Sequence, residues 1–255
     1  MLKAIIFDVD GTLADTENVH RVCFNRAFVA SGLPWHWPKS QYSELLKVTG
    51  GKERLAHYIE TLDPTTLTAT QRAELVATLH RVKTELYQRI IRQGAMRLRP
   101  GVAELIAAAR AEGIRLAVAT TTSPPNVLAL LKATLGPDAL AMFDVIAAGD
   151  SVARKKPAPD IYASALAQMR LTASDCVAIE DSHNGLRAAV AANLVTVVTP
   201  STFTVGEDFC GAAQVVDSLE DLSIGAAGPA VGPAILKTIR ALHFRSHVSI
   251  LNGQI

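Results

Sequence analysis

The sequence has few of the features that mark secreted, membrane-spanning or nucleic-acid-binding proteins. Its 255 residues include only three cysteines, which are far apart and form no Cys-x-x-Cys pair, and its formal net charge is only +1. Unpaired cysteines favour a reducing compartment, and a nearly neutral chain is a poor candidate for a broad nucleic-acid surface. Charge or proline interrupts every apolar run before it reaches the length of a membrane span. No secretory or transit segment precedes the first apolar run, so we expect a compact cytoplasmic protein without nucleic-acid or membrane partners.

What the sequence does contain is a short stretch near the N terminus that can carry chemistry. Four apolar residues run straight into Asp8, and Asp10 and Gly11 follow closely. A short apolar run that ends in a turn signal predicts a strand buried on both faces, whose last residues lie at the ligand-binding edge of an open parallel sheet. Two carboxylates at this spacing are costly inside a strand but suit a hard-cation site with a spare nucleophile. Taken alone, Asp10-Gly11 is equally compatible with an ordinary turn.

Two different periodicities divide the rest of the chain. From residue 15 to about residue 95, apolar residues recur at helical spacing in segments separated by glycine and proline, which predicts a helical bundle inserted after the first strand. From residue 96 to 224, helical segments alternate with short apolar strands, as in a doubly wound parallel sheet. We therefore predict an α/β fold whose core, residues 1–14 and 96–224, carries an α-helical cap domain of residues 15–95. Residues 225–255 are predicted to form a linker and a terminal helix over Ala234 to Leu242.

Polar side chains follow the predicted strands, at the sheet edge where such folds bind ligands. Three of them form a run after the second strand: Thr120, Thr121 and Thr122. Hydroxyl and N–H groups at a helix N-terminus can bind an anion, although an ordinary N-cap would use the same residues. Lys155 and Lys156 precede a later helix and, taken singly, would be a solvated pair. An ammonium close to Asp8 would instead offset the repulsion between this carboxylate and a phosphate.

A second pair of acids, Glu180-Asp181, closes a later strand and completes a carboxylate cluster with Asp8 and Asp10. Adjacent acids point to opposite sides of an extended chain, so we expect one direct metal ligand and one acid held through water or hydrogen bonds. Carboxylates, a backbone carbonyl and phosphate oxygens suit Mg²⁺, whereas zinc would favour histidine or cysteine. The candidate metal ligands are Asp8, Asp10, Glu180 and Asp181.

These motifs together resemble those of the haloacid dehalogenase (HAD) superfamily of phosphohydrolases. The segment from Phe7 to Leu13, FDVDGTL, matches the first motif throughout. The resemblance implies that Asp8 is the nucleophile that forms an aspartyl-phosphate and that Asp10 is the general acid and base. This division is chemically sound, because Asp8 must be ionised to attack phosphorus whereas Asp10 must hold a proton for the leaving oxygen.

The other three motifs occur in the family order. The residues that match them are Thr120, Lys156 in a Lys-Pro-x-Pro-Asp segment, and Asp181. By the resemblance, Thr120 and Lys156 are catalytic, and Thr121 and Thr122 lend an N–H group and a hydroxyl to the phosphoryl group. Mg²⁺ is the cofactor that the resemblance implies.

The predicted cap must supply the substrate specificity. Its notable segments are Asp15-Thr16-Glu17, His20-Arg21, Phe24-Asn25, Gly32-Leu33, Trp35, Tyr42 and Thr49 to Arg54. These segments resemble the CbbY-type phosphatases, which remove the 1-phosphate of xylulose-1,5-bisphosphate, a Rubisco inhibitor. The resemblance implies that Glu17 binds sugar hydroxyls and that Lys52 and Arg54 hold a second phosphate. Two ordinary interpretations remain open: Glu17 as a favourable charge at a helix N-terminus, and Lys52 and Arg54 as part of a solvated helix face. The cap residues assigned to the substrate are Glu17, His20, Tyr42, Gly50, Gly51, Lys52 and Arg54.

Two other functions stay open at this stage. A β-phosphoglucomutase is similar in every core motif and also has a histidine at the position of His20, but it must protect its aspartyl-phosphate from water. A catalytically idle sugar-phosphate binding protein is disfavoured, because the catalytic set is complete. In each case we expect a small phosphorylated sugar as the ligand, and we expect the protein to be a monomer.

Overall fold

A parallel β-sheet forms the centre of the protein. The computed structural model describes residues 1–62, 67–94 and 96–251, the last five of these through their backbone alone. The strands of the sheet are β1 Ala4–Phe7, β2 Arg115–Thr120, β3 Val145–Ala148, β4 Cys176–Glu180, β5 Val195–Val198 and β6 Gln214–Val215. Their order in space is β3-β2-β1-β4-β5-β6, and each neighbouring pair is parallel. The predicted doubly wound parallel α/β fold is therefore confirmed.

Helices follow the strands in the predicted alternation. Those within the predicted cap segment are α1 Glu17–Ala30, α2 Lys39–Leu45, α3 Gly51–Leu62 and α4 Ala69–Arg92. Those that cover the sheet are α5 Val102–Ala111, α6 Pro124–Leu135, α7 Asp160–Met169, α8 His183–Ala191 and α9 Val231–Leu251. Over the described residues, we find no helix with the length and apolar character that crossing a membrane requires.

The alternation of side chains along β1 divides the core between the two faces of the sheet. Ile5 and Phe7 belong to an apolar cluster that includes residues of α5, α6 and α9. Ala4 and Ile6 point the other way, into a cluster that includes residues of α7 and α8. Because both faces are covered, β1 is completely buried and its C-terminal end opens only toward the edge of the sheet.

The helices α1 to α4 have an apolar core of their own. Phe24, Phe28, Trp37 and Tyr58 pack against one another there, with Trp35 at the margin. The two tryptophans thus contribute to packing, as expected for a cap that must fold over the site rather than on the sheet. The predicted cap boundary at residue 95 lies outside the described residues.

The C-terminal segment differs from the prediction. The terminal helix begins at Val231 and continues to Leu251, whereas the sequence pattern indicated Ala234 to Leu242. The composition predicts that Pro233 ends the linker, but Pro233 lies in the first turn of α9, where a missing N–H costs nothing. The short edge strand β6 was also not predicted, because two residues show no alternation to detect.

Candidate active site

The register of the sheet brings the predicted catalytic residues to one edge. Phe7 pairs with Val118 of β2 and with Ile179 of β4, so Asp8 follows directly beside the ends of both strands. Its backbone N–H donates to the carbonyl of Ile179 at 3.0 Å. Asp8, Thr120, Lys156, Glu180 and Asp181 are all buried. Residues from distant parts of the sequence therefore meet where parallel strands end, as the ligand-binding rule for such sheets predicts.

Lys156 connects two of the carboxylates. Its Nζ donates to Asp8 Oδ1 at 2.6 Å and to Glu180 Oε1 at 2.6 Å, and the hydroxyl of Tyr162 also donates to Glu180 Oε1. Burial alone would lower the pKa of Lys156, but the charges of Asp8 and Glu180 outweigh it and raise the pKa above its usual value. Lys156 thus stays an ammonium beside the carboxylate that is predicted to attack phosphorus.

The predicted metal site has a donor set that suits a hard cation. Asp8, Glu180 and Asp181 each have a carboxylate oxygen within 4.8 Å of the others. Burial raises the pKa of Asp8 to about 7, although Lys156 opposes this rise. Burial and the charges of Asp8 and Glu180 also raise the pKa of Asp181 well above its usual value. The raised pKa values mean that it is costly to ionise these buried carboxylates together beside a single ammonium, and a bound divalent cation would offset this cost, so the residues fit Mg²⁺.

The two adjacent acids, Glu180 and Asp181, have different surroundings. Glu180 Oε1 already accepts from Lys156 and Tyr162. Asp181 Oδ2 accepts a long bond of 3.3 Å from Thr204, and the Asp181 carboxylate also accepts a hydrogen bond from the Ser201 side chain, which opposes the rise in its pKa. Asp8 and Asp181 would therefore hold the cation directly, while Glu180 holds Lys156 in place.

The side chain of Asp10 lies apart from this cluster, contrary to the predicted ligand set. Its Oδ1 accepts from Thr16 Oγ1 at 2.5 Å and is hydrogen-bonded to His20 Nε2 at 2.9 Å. Burial alone would raise the pKa of Asp10, but the charge and hydrogen bond of His20, the Thr16 hydroxyl and the charge of Lys83 together lower it below its usual value. Asp10 nevertheless lines the same cavity as Asp8 and Lys156, so it borders a ligand bound there without belonging to the carboxylate cluster.

His20 has a supporting position rather than the predicted place on the substrate. It is 3% exposed, and its ring stacks on Tyr87 with 4.2 Å between the ring centroids. Its Nε2 is engaged by Asp10. His20 therefore orients Asp10, and it connects this residue of the core to the first helix of the cap.

The three threonines after β2 do not act alike. Thr120 and Thr121 line the main cavity, and the N–H of Thr122 donates to Thr120 Oγ1 at 3.2 Å. Thr122 Oγ1 instead accepts from Asn126 of α6 at 3.4 Å. Of the predicted threonine set, Thr120 and Thr121 are thus the members that the fold places at the main cavity.

The cap supplies one wall of this cavity, which has a volume of about 420 Å³. Glu17 and Arg54 line it, together with Lys47 and Thr49, which the sequence analysis missed. Arg54 Nε donates to the carbonyl of Leu45 at 3.1 Å, and Arg54 Nη1 donates to the Tyr42 hydroxyl at 3.0 Å. A guanidinium has five N–H donors. Two of these donors have acceptors among the described residues of the protein, and the remaining three are available to a ligand.

Tyr42 lies behind this wall and not in the cavity. Its side chain is completely buried, and its hydroxyl donates to Glu17 Oε2 at 2.8 Å while accepting from Arg54. Tyr42 therefore holds the two cap residues that line the cavity, Glu17 and Arg54, rather than contacting the substrate as the sequence analysis predicts.

Lys52 is separated from Arg54, so the predicted basic pair does not act together. Lys52 Nζ pairs with Asp150 at 2.7 Å on the outside of the protein, and Asp150 also pairs with Lys155 at 2.8 Å. Residues two apart on a helix point to nearly opposite sides, and both residues belong to α3. The two glycines before them do not line the main cavity either: Gly50 and Gly51 border a smaller neighbouring space of about 40 Å³.

Two further residues near the site were not predicted. Lys83 of α4 is 4% exposed and lines that smaller space with Asp10 and Glu17. A sequence signal existed, because Lys83 lies four residues after Leu79 on the apolar face of α4. Asn184 Nδ2 donates to the Lys47 carbonyl at 3.1 Å and to Thr49 Oγ1 at 3.0 Å, which connects cap and core. No local pattern indicates that contact.

Comparisons with known proteins agree with the geometry. Residues 2–193 match the family model of the haloacid dehalogenase-like hydrolases. The chain is 50% identical over 230 residues to protein CbbY of Cereibacter sphaeroides, covering 89% of this chain and 96% of that protein. It is 53% identical over 211 residues to protein CbbY of Rhodobacter capsulatus, covering 83% and 91%. A crystal structure of a mutant CbbY from Rhodobacter sphaeroides in complex with xylulose-1,5-bisphosphate superposes with a TM-score of 0.82 at 50% identity, covering 87% of this chain and 96% of that one.

Proposed function

This chain belongs to the haloacid dehalogenase-like hydrolase family and is a phosphatase, and we propose that it removes one phosphate from a sugar bisphosphate through an aspartyl-phosphate on Asp8. The observation that carries the proposal is the buried pair of Asp8 and Lys156, 2.6 Å apart, at the floor of a cavity whose cap wall presents Arg54. A nucleophile and a cation that touch, opposite a second cation, suit a substrate with two anionic ends.

In the first half-reaction, an Asp8 carboxylate oxygen attacks phosphorus and the bond from phosphorus to the sugar oxygen breaks. Lys156 would reduce the repulsion between Asp8 and the phosphate, and the Thr120 hydroxyl and the Thr121 N–H would hold phosphoryl oxygens. Bound at Asp8 and Asp181, Mg²⁺ would neutralise charge on those oxygens.

Asp10 would serve both half-reactions. It would protonate the leaving sugar oxygen, and it would then take a proton from the water that hydrolyses the aspartyl-phosphate. In the ligand-free protein, the lowered pKa of Asp10 favours the base form. A phosphate bound beside Asp10 would add negative charge and raise this pKa, toward the range that the acid role needs.

Specificity would come from the cap wall of the cavity. Arg54, with Lys47 as a second cation, would bind the distal phosphate, and Glu17 would accept hydrogen bonds from sugar hydroxyls. Xylulose-1,5-bisphosphate is the substrate that we propose, since a relative that is 50% identical was crystallised with it. Its conversion to xylulose 5-phosphate would relieve Rubisco inhibition and support the Calvin cycle. The monomeric state and the cytoplasmic location remain predictions.

A substrate panel tests this proposal. Phosphate release should be measured for xylulose-1,5-bisphosphate, other sugar bisphosphates and their monophosphates, with Asp8→Asn as the control that keeps the side-chain shape but cannot attack. We expect the first substrate to have the highest kcat/KM and Asp8→Asn to have no turnover. Interconversion of glucose phosphates without net phosphate release would instead identify a mutase. Comparable rates on all monophosphates would contradict the bisphosphate specificity.

A further inference from the structure

Arg99 is a core residue outside the catalytic set that gathers backbone carbonyls from three distant parts of the chain. Its Nη1 donates to the carbonyl of Gly11 and, at 2.5 Å, to that of Thr199. Its Nη2 donates to the carbonyls of Pro200 at 2.8 Å and Asp217 at 2.9 Å. Several carbonyls that converge on one point repel one another and need a cation with several donors between them, and a guanidinium meets both requirements.

Three of these carbonyls, those of Gly11, Thr199 and Pro200, belong to the two walls around Asp181. One wall is Gly11, at a backbone φ of +86°, where an added Cβ would lie 2.0 Å from Asp181 Oδ2. Gly11 thus packs directly on the carboxylate that we assign to the metal. The other wall is the segment after β5, in which Thr199 N–H donates to the Glu180 carbonyl at 2.8 Å.

The same segment reaches the Asp181 carboxylate through its side chains. Thr204 Oγ1 donates to Asp181 Oδ2 at 3.3 Å, and this hydroxyl is itself held by the Ser201 N–H at 2.8 Å. Ser201 directly follows Pro200, whose carbonyl Arg99 holds. Arg99 therefore ties the Gly11 wall to the segment from Thr199 to Thr204, with Asp181 between them.

We infer that Arg99 is a positioning residue for divalent-cation binding, which it supports by keeping the Asp181 carboxylate between these two walls. The inference rests on the metal dependence in the proposed function. Arg99 itself would touch neither the cation nor the substrate. Residues that orient metal ligands typically change metal affinity by roughly 10- to 100-fold when they are removed.

Titration with Mg²⁺ alone tests the inference without any substrate. The apparent Mg²⁺ dissociation constant should be obtained from the rise in Tm with Mg²⁺ concentration for the wild type and Arg99→Met. We expect binding to be at least about 10-fold weaker in Arg99→Met. In an accompanying assay on a small phosphate ester, the loss should lie in the Mg²⁺ concentration for half-maximal rate, with kcat recovering at saturating Mg²⁺.

Arg115→Met is a matched control for general loss of stability. Arg115 also donates to a side chain and a backbone carbonyl, those of Asp144 and Met169, but it lies at the start of β2, the opposite end of the sheet. This variant should lose stability and keep the wild-type Mg²⁺ affinity.

The possible outcomes separate this inference from the proposed function. If Arg99→Met has a lower Tm without Mg²⁺ but binds Mg²⁺ as the wild type does, Arg99 is merely structural and the inference is wrong. If Arg99→Met does not fold, Arg99→Lys decides, because it keeps the charge but loses the fork of donors: wild-type affinity overturns the inference, and weaker binding supports it. If the wild type itself binds no Mg²⁺, the proposed metal dependence fails, and the inference fails with it.

Discussion

Replacement of Arg54 by methionine is the sharpest test of how the cap selects its substrate. Methionine keeps much of the apolar volume and removes the charge and the donors. Among the described residues, three N–H groups of Arg54 remain for a ligand, and one charge-assisted hydrogen bond contributes about 1.5–3 kcal/mol. At about 1.4 kcal/mol per tenfold, the loss of one such bond to the distal phosphate should lower kcat/KM for a sugar bisphosphate roughly 10- to 150-fold.

The same variant should hydrolyse a small monophosphate ester at close to the wild-type rate, because the residues that act on phosphorus lie in the core. Lys52→Met is the matched control: Lys52 belongs to the same helix and carries the same charge but pairs with Asp150 outside the cavity. An exposed pair of this kind contributes little, so we expect a change of less than about threefold on both substrates.

Steady-state kinetics of the two variants on both substrates provide the assay, with the Tm of each variant as a check on folding. Equal losses on the ester and the bisphosphate in Arg54→Met would mean that Arg54 supports the fold or the core site, and the distal-phosphate role would then be abandoned. A loss in Lys52→Met as large as that in Arg54→Met would refute the separation of the two residues that the structure indicates.

Three other predictions address the chemistry and the stability. Asp10→Ala should slow both half-reactions. In a rapid-quench experiment, the rate of aspartyl-phosphate formation should fall less for a nitrophenyl ester, whose leaving group needs no proton, than for a sugar phosphate; equal losses would count against the acid role. Chelation should abolish activity, and Asp181→Ala should need much more Mg²⁺ for half-maximal rate; full activity in excess chelator would disprove the metal dependence. Burial lowers the pKa of Lys83 from 10.5 to about 8, against the opposing charges of Asp10 and Glu17. The buried ammonium therefore lowers the free energy of unfolding below pH 8, and this destabilisation disappears as the pH rises from 8 to 10.5. At about 1.4 kcal/mol per unit of pKa, Lys83→Met should be more stable than the wild type at pH 7.5, by roughly 3 kcal/mol at most. In urea unfolding, this difference in the free energy of unfolding should shrink by pH 10, and a difference that stays constant would contradict the shifted pKa.

Part of the candidate site could be predicted because its determinants are local in sequence. The apolar run before Asp8 forms a strand that is buried on both faces, and this follows from hydrophobic composition alone. A helix follows the lysine pair, as predicted, and it begins at Asp160, since Pro157 and Pro159 precede it and mark where it can begin. The motifs and their order resemble those of the haloacid dehalogenase superfamily, and this resemblance implies the phosphotransfer chemistry without any contact between the motifs.

Some side-chain directions were available in the sequence but were not used. The sequence analysis pairs Lys52 with Arg54, although a helical spacing of two residues places them on different sides of the helix. Both residues belong to α3, which already begins at Gly51. Lys83 is a similar case, because a lysine on the apolar face of a helix such as α4 indicates an ammonium that is buried rather than solvated.

Other features were decided by the tertiary structure alone. The sequence by itself determined which residues could end strands and which residue types could bind a phosphate and a cation. It did not determine that Asp10 turns away from the carboxylate cluster toward His20, or that Tyr42 lies behind Arg54, because each depends on how the cap packs on the core. The acceptors of Arg99 are the extreme case: they are carbonyls of residues 11, 199, 200 and 217. Every residue has such a carbonyl, so no sequence pattern can mark those that the folded chain brings together.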